Sequence, residues 1–511
     1  MKRLLNLVGI LSLVTIKGAV AQNYVCRNYD WAEVKSVQTL TPDELKKPSV
    51  ILKDFRFSEY IYNNKEELEM YYTRHRMIHI VEQKALDESN KIYIGVSSAN
   101  DLVTFKGRTI SPSGKIQEMY KGDMKLVTED GSQYMILAVE GLEIGGELEY
   151  FFTLKSDVNY FSTEYFQGGD FIRKESLKVI SPENLVFTSK SYNGLAAAKD
   201  TIIDHKRYLE VTAENVKPLP DEKYSIENAN RLRLEYKLSE NNATNAHHLF
   251  SWQDAGRRYY DVTHRFEDEK KAISKFLDKL KLKGKPQQEQ IAALENYIKT
   301  EFNIQSTGEE ESMSKLFSKR YASKTTITSL YILALEQLEI PHELVLTSDR
   351  FHIPFDESFE SWNYIDDMLI YFPGINKYLD PTSYFHRLGA IPFQNTSEKG
   401  LYIKKMTIGD ASNGITTVRY IPCPGMDVNY DKLEAHITIT TDWKTANMKV
   451  NRDMSGYEDN NLRAAYFYAA EDKKEELVKS IFSGWFGEEM KATNTSAANF
   501  NMSTDEVNKP F

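Results

Sequence analysis

Apolar and polar positions divide the chain into stretches of different period. From about Ser49 to Ser239 the alternation is mostly of period two. In "GGELEYFFTLKS" Leu148, Tyr150, Phe152 and Leu154 alternate with Glu149, Phe151 and Thr153, which predicts a strand with two distinct faces. "FKGRTISPSGKIQEM" sets two strand arms around Ser111-Pro112-Ser113-Gly114, a turn of residues that fix or relax φ. "RHRMIHIV" and "SLKVISPENLVF" add further short strands. Strands at short spacing, broken by Pro and Gly, predict an antiparallel β-sandwich over residues 49–245.

Near Ser251 the period lengthens. In "PQQEQIAALENYIKTEF" Ile291, Leu294, Ile298 and Phe302 share one helical face, and Pro286 suits the first turn. In "RYASKTTITSLYILALEQLEIP" Ile327, Leu330, Ala334 and Leu338 form a second apolar stripe. The short strands "HELVLTS", "MLIYFPG" and "KYLDPT" follow. Helices succeeded by strands predict an α+β core over residues 246–400. Beyond it Leu433, Ala435, Ile437 and Ile439 face one way, with Met448 and Val450 continuing that face on a paired strand. A helical segment covers roughly 461–486. This β-rich region, 401–511, predicts too few strands to bury a core, so it packs on its neighbours or lacks its remainder.

The first residues bear on the compartment. Lys2 and Arg3 precede the apolar run Leu4 to Ile16, and Ala19-Val20-Ala21 stands before Gln22. That pattern predicts a signal peptide at 1–21, an N-terminal extension at 22–48 and an exported protein, periplasmic or secreted. The chain of 511 residues has a formal charge of −10, and losing Lys2, Arg3 and Lys17 makes it about −13, which argues against a nucleic-acid partner. No later stretch is apolar enough to span a bilayer. The two cysteines are Cys26 and Cys423, with none between them, so a cysteine metal cluster and a mid-chain thiol nucleophile are both excluded.

The order of these motifs carries a resemblance. "FKGRTISPSGKI", "ILAVEGLEIGGELEYFF", "EQIAALENYIKTEF", "RYASKTTITSLYILALEQLEIP" and "YFPGINKYLDPT" together resemble exported bacterial proteins of the Gram-negative envelope. In those proteins a β-sandwich domain of unknown function precedes a transglutaminase-like, papain-like core. The resemblance implies a Cys nucleophile opening the core helix, a His base on a following strand and an Asp that orients the His. Counting back from Ile340-Pro341, the Cys position is held by Lys324, after Ala322 and Ser323. The His position falls on Tyr364 or on Asp367, depending on whether one counts from Asp380 or from Pro373, and no histidine lies between His352 and His386. Only Asp380 matches its family counterpart. An Asp with no imidazole to orient reads as a turn acceptor.

Other chemistry is sparse. Lys324 reads as a solvated lysine or one paired with Asp366 or Asp367. His247 and His248 are sequence neighbours in a polar linker, and neither HExxH nor Cx2C occurs, so neither a metal nor another cofactor is expected. His75 and His79 could share a strand face and, with no clear carboxylate partner, read as surface or cross-strand residues. Trp252, Tyr259 and Tyr260 read as core packing. The expected function is therefore that of a catalytically inactive transglutaminase-like protein that binds a protein, peptide or glycan of the envelope. The alternatives are a transferase or peptidase with a relocated site, and a purely structural envelope module.

Overall fold

The computed structural model describes residues 24–31, 36–305, 311–409, 411–486 and 494–499. The segment read as a signal peptide lies outside them. The chain is multidomain and mostly β, with several sheets and fewer helices. It divides into two compact units, one of residues 1–159, 166–186 and 196–218, the other of 160–165, 187–195 and 219–511.

The first fourteen strands are β1 (Ser49–Tyr62), β2 (Leu68–Ile80), β3 (Lys91–Val96), β4 (Leu102–Ile110), β5 (Ile116–Tyr120), β6 (Lys125–Glu129), β7 (Ser132–Ala138), β8 (Glu147–Ser156), β9 (Phe161–Tyr165), β10 (Phe171–Pro182), β11 (Leu185–Tyr192), β12 (Lys199–Ile203), β13 (Lys206–Val216) and β14 (Arg233–Asn241). In the first unit eight of them form one sheet in the order β12-β13-β10-β1-β2-β8-β4-β5, with β1 and β10 parallel. A small sheet β3-β7-β6 covers part of one face, and Ile92, Ile94, Met135 and Leu137 meet Leu102, Phe105, Leu148, Tyr150 and Phe152 in a shared core. This is why β8 departs from the two-faced strand that its alternation predicts. It lies between β2 and β4, and its residues from Glu147 to Thr153 are buried on both faces. The chain leaves this unit and returns to it twice before leaving for good after residue 218. Strand β9 and most of β11 join β14 in a three-stranded sheet of the second unit.

The second unit is built round one helix. Short helices α1 (Gln83–Glu88) and α2 (Glu227–Asn230) precede α3 (Trp252–His264), α4 (Lys270–Leu280), α5 (Gln287–Glu301), α6 (Met313–Lys319) and α7 (Lys324–Gln337). Pro286 stands at the N-cap of α5, and Ile291, Leu294, Ile298 and Phe302 are all at most 2% exposed, as the stripe predicts. The single stripe read for α7 is too narrow, because every residue from Thr326 to Leu335 is buried. A helix buried on all sides, with its Thr328 and Ser329 hydroxyls bonded back to the backbone, belongs at the centre of a core. It ends where Glu339 turns left-handed (φ 56) and Pro341 blocks continuation.

After β15 (Asn303–Ile304) and β16 (Tyr321–Ala322), the strands β17 (Glu343–Thr347), β18 (Asp367–Phe372), β19 (Lys377–Leu379), β20 (Glu398–Ile408) and β21 (Ala411–Ile421) form a sheet in the order β19-β18-β17-β20-β21. Helix α3 lies close on β21. Gln253 Nε2 donates to Gly414 O at 2.7 Å, and a Cβ at Gly256 would fall 2.1 Å from Thr416 Cγ2. Beyond this sheet β22 (Tyr430–Ile439) and β23 (Ala446–Ser455) pair as an isolated ribbon, with Ala435 opposite Val450 and Ile437 opposite Met448, so the predicted face is continuous. Leu433, Ile437 and Ile439 on it are each more than half exposed. The predicted helical segment is two helices, α8 (Tyr457–Tyr468) and α9 (Lys474–Phe486).

Candidate functional site at the N-terminus of the central helix

Ser323 is the N-cap of α7, and its Oγ accepts from the Thr326 amide. A second group also occupies this helix end. The Glu311 carboxylate accepts from Ser323 N and from Ser323 Oγ, each at 2.7 Å, and from the Thr326 hydroxyl. Arg265 Nη2 donates to the same carboxylate at 3.1 Å. A negative side chain therefore sits against the positive end of the helix, which favours it there.

Lys324, the next residue, is exposed, and none of its hydrogen bonds or ion pairs falls among the described residues. Asp367 opens β18, one of the two positions on which the His count falls, and the structure brings this one to the site. Burial pushes its carboxyl up from the usual range, the Asp380 charge adds to that, and the Asn395 amide at 2.9 Å and the Lys324 ammonium act against it. Lys324, Asp367 and Asp380 are thus within electrostatic reach of one another. Asp380 follows β19 and is a turn acceptor, as read. Its Oδ1 takes Thr382 N at 2.7 Å, Thr382 Oγ1 at 3.1 Å and Ser383 N at 2.9 Å.

Tyr364 lies elsewhere. It is fully buried, with its phenol 2.8 Å from that of Tyr192 on β11, and Tyr192 donates to Asp356 at 2.7 Å. Nearby Glu235, also fully buried, accepts from Thr163 Oγ1 at 2.8 Å and Asn363 Nδ2 at 3.2 Å, and burial raises its carboxyl to about 7. Asp366 is exposed and binds Asp349 N and His352, so it is not the partner of Lys324.

Sequence reading missed the histidine that does approach Asp380. His386, six residues later, places Nδ1 2.8 Å from Ser383 Oγ, and burial lowers its pKa to about 4. The same Oγ accepts from Phe385 N and His386 N at 3.3 Å, so the pair closes a turn. Behind it Lys299 is buried against Glu295 at 2.7 Å and donates to the His386 carbonyl, and Glu295 takes Leu388 N at 3.0 Å. Apolar periodicity does not mark these polar residues, although Glu295 and Lys299 stand i, i+4 on the buried face of α5.

The remaining candidates resolve as follows. Of the two readings of His75 and His79, surface or cross-strand, the second holds: both are buried, and each bonds across to a β8 carboxylate that the sequence did not reveal, Glu149 at 2.8 Å and Glu147 at 3.1 Å. Those carboxylates come from β8, about seventy residues away, beyond the reach of local pattern. Trp252 stacks on Phe355 at 4.9 Å, Tyr260 stacks on His264 at 3.8 Å, and Tyr259 packs on the main core, so all three are packing residues as read. His247 and His248 contact Asn245 and Glu360 respectively. Cys26 is a buried and Cys423 an exposed free thiol. Among the described residues no three His, Cys, Asp or Glu side chains are grouped as a metal would need. No helix of the described residues is long and apolar enough to cross a membrane.

Comparison with known proteins places part of this on record. Residues 67–220 match the model of a "Domain of Unknown Function with solved-structure structure (DUF3857)". A crystal structure from Parabacteroides distasonis ATCC 8503, of a protein that bears the provisional name of a protease, is similar over 77% of this chain and 78% of its own, with a TM-score of 0.53 and 12% identity. That is a likeness of fold. An M1 zinc metallopeptidase from Deinococcus radiodurans matches 38% of this chain and 43% of its own at a TM-score of 0.21 and 10% identity, which carries no argument. No protein of curated function matches the sequence.

Proposed function

We propose that the protein is an exported, catalytically silent relative of the transglutaminase-like enzymes that serves by binding a protein, peptide or glycan of the cell envelope. The fold shared with the Parabacteroides protein supports the ancestry. The single observation that carries the loss of chemistry is the composition of the α7 N-terminus. An exposed Lys324 stands where the nucleophile belongs, beside a helix end already neutralised by Glu311. A thiol enzyme needs that helix end to stabilise its thiolate. At the other two positions Asp367 brings a carboxylate in place of an imidazole, and Asp380 spends its Oδ1 on backbone amides. Export rests on the charged, apolar and small-residue run of residues 1–21.

The test is an amine-incorporation assay and a peptidase assay on the mature protein. Both read background, with or without iodoacetamide. Turnover above background that Lys324→Ala abolishes overturns the proposal.

A further inference from the structure

Helix α7 and strand β17 part sharply between Leu338 and Glu343. Glu339 is left-handed, Pro341 cannot continue the helix, and the chain enters β17 at Glu343. Helix α3 ends beside them, and β20 runs along β17 with Ile403 opposite Leu344. Where these ends diverge the packing leaves a cavity of about 480 Å³, the size of a small-molecule site. Ile332, Ile340, Leu344 and Ile403, each at most 4% exposed, give it aliphatic walls. It lies at the opposite end of α7 from Lys324, 14 residues or roughly 21 Å along the helix.

Two imidazoles line this cavity, and one of them has both nitrogens engaged. His264 Nδ1 meets the Tyr260 carbonyl at 2.8 Å, and its Nε2 meets Glu336 at 3.0 Å. Lys405 donates to the same Glu336 oxygen at 2.8 Å. Burial works against the Glu336 carboxylate, yet the His264 and Lys405 bonds hold it down near 2. Glu343 is paired with Arg419, and Glu339 and Lys404 are exposed to solvent. Among the described residues the buried charge of the cavity is thus already answered, and nothing in it calls for an ionic ligand.

His342 differs. Its Nδ1 lies 2.8 Å from the Ile340 carbonyl, which only accepts, so Nδ1 carries the hydrogen. Burial lowers the pKa of this ring, which is therefore neutral at pH 7, with Nε2 a bare acceptor. No described residue bonds to Nε2, and it is not sealed in protein, so it opens on the cavity that His342 lines. A lone acceptor between aliphatic walls is matched by an apolar body with one donor.

We propose that this cavity binds a small, uncharged, mainly apolar molecule carrying one hydroxyl or N–H, which it donates to His342 Nε2. The walls take the apolar body. The imidazole selects for the donor, because an analogue without one leaves Nε2 covered and unpaired. The site does not depend on what happens at Lys324.

The near-isosteres p-cresol and p-fluorotoluene, one with a donor and one without, test this by NMR titration of the mature protein labelled at its isoleucine and leucine methyls. p-Cresol should shift the signals of Ile332, Ile340, Leu344 and Ile403. It should also bind about tenfold more tightly than p-fluorotoluene, the ratio that goes with one hydrogen bond. His342→Asn keeps a donor for the Ile340 carbonyl and removes Nε2, so it should bring the two affinities level. Equal affinities in the wild type, a preference that survives His342→Asn, or no shift of those four signals each overturns the proposal. The wild-type comparison decides the matter even where the variant fails to fold.

Discussion

The phenol oxygens of Tyr192 and Tyr364 lie 2.8 Å apart, which ties Tyr364 to strand β11 of the three-stranded sheet. Burial raises both hydroxyls, so at neutral pH they are a neutral donor and acceptor. A double-mutant cycle with Tyr192→Phe and Tyr364→Phe, read by urea unfolding, should give a coupling of about 1 kcal/mol, as for one buried hydrogen bond. Additive losses would show that the bond contributes nothing.

Asp367 sets a pH dependence of unusual sign. Its folded carboxyl titrates above its unfolded value, mainly through burial and then Asp380. Folding therefore penalises the charged form, and that penalty disappears as pH falls through the folded pKa. Lys324 opposes the shift, so Lys324→Ala should lower Tm at pH 7 and not at about pH 3, where the carboxyl is protonated in both states. Asp367→Asn should raise Tm at pH 7. A Tm difference for Lys324→Ala that is independent of pH would contradict the coupling.

Lys299 and Glu295 are a buried ion pair with further bonds to the backbone of the loop that carries His386. Lys299→Met leaves Glu295 buried and unpaired and should cost about 3–5 kcal/mol by chemical denaturation. The double change Lys299→Met with Glu295→Gln should recover a good part of that. No recovery would show that the pair is held for packing alone.

Gly256→Ala sets two effects against each other. Replacing an interior helix glycine by alanine normally gains roughly 0.5–1 kcal/mol. The added Cβ would lie 2.1 Å from Thr416 Cγ2 on β21, and forcing those elements apart costs about 1–3 kcal/mol. The clash wins, so the variant should be less stable, and Gly256→Ala with Thr416→Ser should regain part of the loss.

The sequence showed most where one period ran for several turns. The α5 stripe and the face of Leu433, Ala435, Ile437 and Ile439 came out in the structure with the register expected. It showed least where an element is covered on every side. Strand β8 and helix α7 have no solvent face, so their alternation and stripe under-read what is buried. The candidate site divides in the same way. The missing thiol and the turn role of Asp380 follow from residue type and local spacing. Glu311 on the helix end, Tyr192 on Tyr364 and the partners of His75 and His79 are contacts between residues 12 to 172 positions apart, and no local pattern encodes them.

Glu311 also bears on what a thiol could do at the start of α7. On the proposed reading a Lys324→Cys change would put a sulfur at the start of α7, yet the helix end that should favour its thiolate already carries the Glu311 carboxylate. Removing Glu311 first brings no return either, because it unties Ser323, Thr326 and Arg265 while the nucleophile is still absent. On the reading proposed above, each single step back toward an enzyme is thus neutral or costly, and Glu311 would act as a ratchet on that helix end.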